Sequence, residues 1–83
     1  MRRCLVEVYV PSLGTTYDIF ISKQCLVYEL VELIGQSVQT LSNGYYNFSG
    51  NSVLCYRETG KMLDINLKAE EAGITDGSQL LLI

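Results

Sequence analysis

The chain has 83 residues, 48% hydrophobic and 18% charged, with six basic and nine acidic side chains and a net charge of −3. This length predicts a single domain, residues 1–83, with one core layer and little room for a deep catalytic cleft. The acidic balance argues against nucleic acid, because a nucleic-acid site needs a clustered basic face. No stretch approaches the roughly 20 apolar residues of a membrane span, so we expect no membrane insertion.

Two strands joined by a tight turn are predicted at the start of the chain. Residues 4–10 alternate with period two, which places Leu5 and Tyr9 on one face and the valines on the other. Pro11 and Gly14 favour a turn, and residues 15–21 form the return strand. Phe20 lies on the same face as Leu5 and Tyr9, away from the apolar face that a helix can cover.

An amphipathic helix is predicted over residues 24–41. Its apolar side chains recur at helical spacing and share one stripe: Val27, Leu30, Val31, Ile34, Val38 and Leu41. Such a helix has little stability of its own, so the stripe must be buried against a sheet. No capping side chain stands immediately before Leu26, whereas Asn43 and Gly44 are typical of a helix end.

The second half of the chain predicts three short strands. The aromatic residues of segment 45–51 are interpreted as an ordered loop that closes the open edge of the core, with a binding loop as the alternative. Strands are predicted at 52–57, 61–64 and 78–83, with a helical turn at 67–73 and a tight turn at Asp76-Gly77. The fold class is therefore α+β: a mixed sheet of four or five strands, its first and last strands central, with one helix across one face.

No residue pattern in this chain is typical of an enzyme. It contains no histidine, the commonest general base and metal ligand. The carboxylates of Glu29 and Glu32, and of Glu70 and Glu71, are expected in solvent. A glycine-rich phosphate loop is also missing from the sequence. We therefore expect no catalytic activity, no cofactor and no bound metal.

The three cysteines predict reduced thiols in a cytoplasmic protein, because their number is odd and they form no CxxC motif. Cys4 and Cys55 lie in strand-like segments and are interpreted as buried structural thiols. Cys25, near the helix start, is the one thiol whose pKa the helix dipole could lower, but no partner base accompanies it. No signal peptide is recognisable, which also favours the cytoplasm.

The face of the sheet opposite the helix is the predicted binding surface. Alternation places seven apolar side chains there: Leu5, Tyr9, Phe20, Leu54, Tyr56, Leu81 and Ile83. A patch of this size exceeds what a monomer normally exposes. The third strand is ambiguous, and we assign Val53 and Cys55 to the core side. In the alternative interpretation, some of the seven are edge positions or are covered by the aromatic loop.

The order of elements resembles the β-grasp of ubiquitin-like proteins over essentially the whole chain. Three stretches resemble the YukD/EsaB-type proteins of bacterial type VII secretion and the N-terminal ubiquitin-like domain of EccD: residues 17–34, residues 44–48 and residues 67–83. The last is the most specific, with an acidic pair, then Gly73-Ile74 and Asp76-Gly77 before a final apolar strand.

The resemblance implies a non-conjugated interaction module on the cytosolic side of a type VII (WXG100/ESX-like) secretion complex that includes an FtsK/SpoIIIE-type ATPase. The chain ends at Ile83 without the Gly-Gly tail of ubiquitin and the sulfur carriers, so conjugation and sulfur transfer are not expected of it. One alternative is the excised ubiquitin-like domain of an EccD-like membrane component. Another is a sulfur-carrier or modifier protein that lacks its tail. A weak homodimer is also left open.

Overall fold

A mixed four-stranded sheet crossed by one helix confirms the predicted fold class. The computed structural model describes residues 3–83, so the first two residues of the predicted domain lie outside the described residues. The elements are β1 (Arg3–Val10), β2 (Thr15–Ser22), α1 (Val27–Leu41), β3 (Leu54–Tyr56) and β4 (Gln79–Leu82). The strand order is β2-β1-β4-β3, and β1 is antiparallel to β2 and parallel to β4.

The first and last strands form the centre of the sheet, as predicted. In β1, the inward side chains of Val6, Val8 and Val10 are fully buried. Val8 pairs with Leu80 of β4, whose side chain is also fully buried. Period-two alternation therefore holds in both strands, and it buries one face of each beneath the helix.

A turn before β4 attaches the end of the chain to β1. The Asp76 carboxylate accepts a hydrogen bond from the backbone N–H of Leu5 at 2.8 Å. The N–H of Gly77 donates to the carbonyl of Leu5 at 2.8 Å, and the N–H of Glu7 donates to the carbonyl of Ser78 at 2.9 Å. Gly77 has φ +83°, a conformation that side-chain-bearing residues rarely adopt. The predicted Asp-Gly turn is thus the link that sets the β1–β4 register.

The helix begins three residues later than predicted because a distant segment pairs with the chain before it. The N–H of Val27 donates to the carbonyl of Leu67, and the N–H of Ala69 donates to the carbonyl of Cys25, each at 2.8 Å. The N-cap is Leu26, which has no side-chain acceptor. Its own N–H is satisfied by the carboxylate of Glu29 at 3.1 Å. A tertiary pairing and one acidic side chain thus replace the missing capping residue.

The buried stripe of α1 is narrower than predicted. Its fully buried apolar side chains are those of Val27, Leu30, Ile34 and Val38. Val31 is only half-buried, and it lines a surface depression together with Phe48 of the aromatic loop. Leu41, the last helical residue, is 55% exposed, so its assignment to the core was wrong.

The predicted facing of the third strand was wrong. In β3, Leu54 pairs with Leu82 of β4, and antiparallel partners share one face of a sheet. Leu54 is accordingly 1% exposed and belongs to the core. Tyr56, two residues on, lies on the same inner face, half-buried, and its hydroxyl donates to the carbonyl of Ala72.

The backbone pairing at the end of β4 explains this reversal. Val53 and Ile83 exchange two backbone hydrogen bonds, of 3.0 and 2.9 Å, which extend the β3–β4 register. Cys55 therefore pairs with Leu81 and lies on the face away from the helix, with Val53. The predicted strand at 61–64 is reduced to a single bridge between Cys55 and Met62.

The loop after the helix closes the open edge of the core, as predicted, through two of its three aromatic side chains. Tyr46 is buried, and its hydroxyl lies 2.7 Å from that of Ser52. The half-buried Phe48 ring lies so close to Gly35 of α1 that a Cβ atom there would overlap three of its ring carbons. Tyr45 is 84% exposed, so the interpretation was wrong for this residue.

Gly35→Ala tests this contact between loop and helix. An alanine in a helix is normally favoured by about 1 kcal/mol over glycine, whereas overpacking costs about 1–3 kcal/mol. We expect the free energy of unfolding, measured by urea denaturation, to fall. The matched control is Gly50→Ala, where a Cβ atom meets no atom within 4 Å and stability should be unchanged or slightly higher. A more stable Gly35→Ala variant would contradict the packing of Phe48.

Candidate protein interface

We call the sheet surface that points away from α1 the outer face. Strand pairing and alternation place fourteen residues on it: Thr16, Asp18, Phe20 and Ser22 from β2, Arg3, Leu5, Glu7 and Tyr9 from β1, Gln79, Leu81 and Ile83 from β4 and its end, and Val53, Cys55 and Arg57 from β3 and its flanks. Five of the seven predicted interface residues are therefore on this face. The other two, Leu54 and Tyr56, face the core.

A row of polar side chains divides the outer face. Glu7 pairs with Asp18 on one side and with Gln79 on the other. Arg57 continues the row, since its backbone N–H donates to the carbonyl of Gln79 at 3.1 Å. The contiguous apolar patch expected from alternation alone is therefore interrupted across the width of the sheet.

Two apolar groups lie on either side of this row. The smaller is the directly paired Leu5 and Phe20. The larger, here named the Tyr9 cluster, consists of Tyr9, Leu81, Cys55, Ile83 and Val53. Tyr9 and Leu81 are half-buried, whereas Ile83 is 63% exposed. The Tyr9 cluster is the wider surface, because it spans three strands.

An arginine stacks on an aromatic ring in each group. The guanidinium of Arg57 lies 4.5 Å from the ring centroid of Tyr9, and that of Arg3 lies 5.2 Å from the ring centroid of Phe20. Exposed cation–π contacts of this kind contribute about 0.5–1 kcal/mol. Sequence reasoning missed both arginines. Arg57 lies two residues after Cys55, so the two side chains share a face of the sheet. This spacing places Arg57 on the outer face only once the facing of β3 is known.

The thiols in the described part of the chain offer little reactive chemistry. Cys4 and Cys55 are both buried, as predicted. Burial raises the pKa of the Cys4 thiol, the nearby Asp76 charge raises it further, and Lys23 opposes the shift. Cys25 is half-buried and precedes the helix rather than lying in its first turn. Within residues 3–83, no group of three or more cysteine or acidic side chains is placed to hold a metal ion.

Cysteine alkylation tests the arrangement around Cys55. This residue is on the outer face but only 3% exposed, and Met62 is its bridge partner, which places the two side chains side by side. We expect iodoacetamide to label Cys25 of the native protein first, while Cys4 and Cys55 react slowly. Met62→Ala should increase the labelling rate of Cys55 several-fold and leave that of Cys4 unchanged, as measured by peptide mass spectrometry. Equal rates for Cys55 in both proteins would contradict this placement.

Among the described residues 3–83, no helix is long and apolar enough to cross a membrane. Comparison with protein-family models gives no match, and no curated protein matches the sequence either.

Solved structures of ubiquitin-like domains match the whole chain. The ubiquitin-like domain of the Mycobacterium tuberculosis type VII secretion protein EccD1 superposes with a TM-score of 0.80 at 13% identity, over 100% of this chain and 99% of that one. The EccD5 ubiquitin-like domain of Mycobacterium xenopi superposes with a TM-score of 0.72 at 17% identity, over 100% of this chain and 94% of that one. The ubiquitin-like domain of Plasmodium falciparum Dsk2 superposes with a TM-score of 0.74 at 17% identity, over 98% of this chain and 96% of that one. The chain therefore has the ubiquitin-like β-grasp fold, and EccD ubiquitin-like domains are among the structures it resembles.

Proposed function

We propose that this chain is an interaction module that binds a protein partner through the Tyr9 cluster on its outer face. The single observation behind this proposal is the composition of the cluster. An aromatic ring stacked by Arg57 lies beside Leu81 and the exposed Ile83. Tyrosine and arginine are enriched among the residues that dominate binding energy at protein interfaces, and aliphatic neighbours exclude water from them.

The polar row gives this surface a means of selecting its partner. Glu7 and Asp18 carry negative charge next to one edge of the cluster. Arg57 carries positive charge, and its guanidinium lies over the Tyr9 ring of the cluster. A partner with misplaced charges would leave these groups desolvated and unpaired, which costs binding free energy. We infer that the apolar residues supply affinity and that the row supplies orientation.

A binding role fits this chain better than catalysis. The sequence has no histidine, and burial raises the pKa of the Cys4 thiol. The outer face is a surface rather than a cleft, and its polar side chains form one row between two apolar groups. These features suit a module without enzymatic activity. Its three free cysteines, an odd number without a CxxC motif, support the further proposal that it acts in the cytoplasm.

The system in which this module acts is proposed to be bacterial type VII secretion. Support comes from the closing segment, residues 67–83, which resembles YukD/EsaB-type proteins, and from the two EccD domains that match the full chain. The proposed partner is the cytosolic part of the membrane complex, including its FtsK/SpoIIIE-type ATPase. The EccD matches also favour a second candidate, in which the chain is the ubiquitin-like domain of an EccD-like membrane component.

Two neighbouring leucines of β4 test the proposal. Leu80 is fully buried on the inner face, whereas Leu81 is half-buried on the outer face. Leu80→Asp places a charge in the core and should unfold the domain, because that cost approaches the typical ~5 kcal/mol stability of a small domain. Leu81→Asp should keep the native circular dichroism spectrum. It should weaken binding to the purified cytosolic ATPase region at least tenfold, about 1.4 kcal/mol, by calorimetric titration.

Tyr28→Asp is the matched control, because Tyr28 is 53% exposed on α1, away from the outer face. Its affinity for the ATPase region should equal that of the unmodified chain. Unchanged affinity of Leu81→Asp would contradict the assignment of the interface. Absence of binding by the unmodified chain would contradict the assignment of the partner.

A further inference from the structure

A cavity of about 410 Å³ lies where α1, the aromatic loop and the segment before Leu67 meet. Tyr28 and Val31 line it from the helix, Phe48 lines it from the loop, and Ile65 lines it from the third segment. None of the residues around it belongs to a strand of the sheet, so the cavity is separate from the outer face. We call it the Tyr28 pocket.

Hydrogen bonds and packing hold the walls of the Tyr28 pocket in place. The backbone N–H of Tyr28 donates to the carbonyl of Ile65 at 3.3 Å, which joins the helix to the third segment. The N–H of Phe48 donates to the side-chain oxygen of Gln39 at 2.9 Å, and its ring packs against Gly35. The pocket is therefore formed in the free chain, as most ligand sites are.

The apolar walls of the pocket retain exposed surface. Tyr28 is 53% exposed and Ile65 is 50% exposed, whereas Val31 and Phe48 are half-buried. Apolar side chains around a concavity lose contact with water when a ligand enters, and this desolvation favours binding. The walls therefore favour an occupant with an apolar body.

The charge and the rings of the pocket favour a cation. Among the described residues that line it, Glu32 is the only charged side chain. The carboxylate of Glu29 accepts a hydrogen bond from the N–H of Leu26, whereas that of Glu32 pairs with no group of residues 3–83. The faces of the Tyr28 and Phe48 rings also attract positive charge. An occupant thus gains from a positive group as well as from an apolar body.

We propose that the Tyr28 pocket receives an arginine side chain of a partner protein, flanked in that protein by apolar residues. A guanidinium is planar, so it can stack on an aromatic ring and also pair with the Glu32 carboxylate through parallel hydrogen bonds. Its aliphatic stem lies against Val31 and Ile65. A lysine ammonium is more strongly hydrated and cannot form this planar pair, so it fits the pocket less well.

A second copy of this chain is a poor source of the arginine. The two arginines among residues 3–83 are already engaged within the chain, because Arg3 stacks on Phe20 and Arg57 stacks on Tyr9. Each chain also has a net charge of −3, which opposes self-association. A basic partner is instead attracted to the acidic chain.

The arginine belongs to a different protein from the partner of the Tyr9 cluster. That cluster lies on the face of the sheet that points away from α1, whereas the Tyr28 pocket is lined by α1 itself. A compact partner seated on the outer face therefore does not cover the pocket. The chain can bind one protein at each site.

Titration with capped tripeptides tests this proposal. The probe has leucine, arginine and leucine in that order, and it is added to the ¹⁵N-labelled chain. It should shift the amide signals of Tyr28, Glu32, Phe48 and Ile65 saturably. Glutamine in place of the arginine should weaken binding by roughly fivefold, the loss expected for one ion pair and one cation–π contact. Lysine in its place should give an intermediate affinity.

Three variants of the chain complete the test. Glu32→Gln should weaken binding of the arginine peptide by roughly threefold and leave that of the glutamine peptide unchanged. Glu58→Gln is the matched control, because it removes the same charge from an exposed carboxylate that does not line the pocket. Leu81→Asp, on the outer face, should leave peptide binding unchanged, which separates the pocket from the Tyr9 cluster.

Four results would overturn the proposal. The first is the absence of saturable shifts at the pocket residues. The second is an affinity of the glutamine or lysine peptide that equals that of the arginine peptide. The third is an equal effect of Glu32→Gln and Glu58→Gln. The fourth is the appearance of the same shifts in the free chain as its concentration rises, which would make a second copy the occupant.

Discussion

The parallel pairing of β1 with β4 is the constraint on which the rest of this structure depends. It joins the two ends of the chain at the centre of the sheet, with Val8 beside Leu80, and every other element is placed relative to that pair. The turn at Asp76 and Gly77 fixes the register by bonding to Leu5. Among residues 3–83, β3 has only β4 as a neighbouring strand, so its facing is set by the same register. The helix covers the inner face that the central pair creates.

This central pair also separates the buried core from the face that we propose for recognition. On the inner face, apolar side chains of β1, β4 and α1 are fully buried and supply most of the hydrophobic stabilisation. On the outer face, the same strands present the Tyr9 cluster and the polar row, which are not needed to close the core. The outer face is the surface that we propose for partner binding.

Local periodicity explains how much could be predicted from the sequence. The hairpin, the helix and the facing of β4 each rest on a long or strongly alternating pattern, and the structure confirms them. The facing of β3 could not be derived from the sequence. Leu54 and Cys55 are neighbours and both are apolar, so alternation does not decide which of them points into the core. The polar row and the stacking of Arg57 on Tyr9 depend on register between strands distant in the sequence. The start of α1 likewise depends on Leu67, some forty residues away.

The most direct test of the two-faced sheet is the relaxation of methyl protons in β4 by a soluble paramagnetic agent. The four consecutive aliphatic residues 80–83 alternate between the faces, so neighbours along one strand act as internal controls. We predict strong relaxation enhancement for the methyl groups of Ile83, intermediate enhancement for those of Leu81, and almost none for those of Leu80 and Leu82. Comparable enhancement at Leu80 and Leu81 would contradict the alternation of buried and exposed faces along β4.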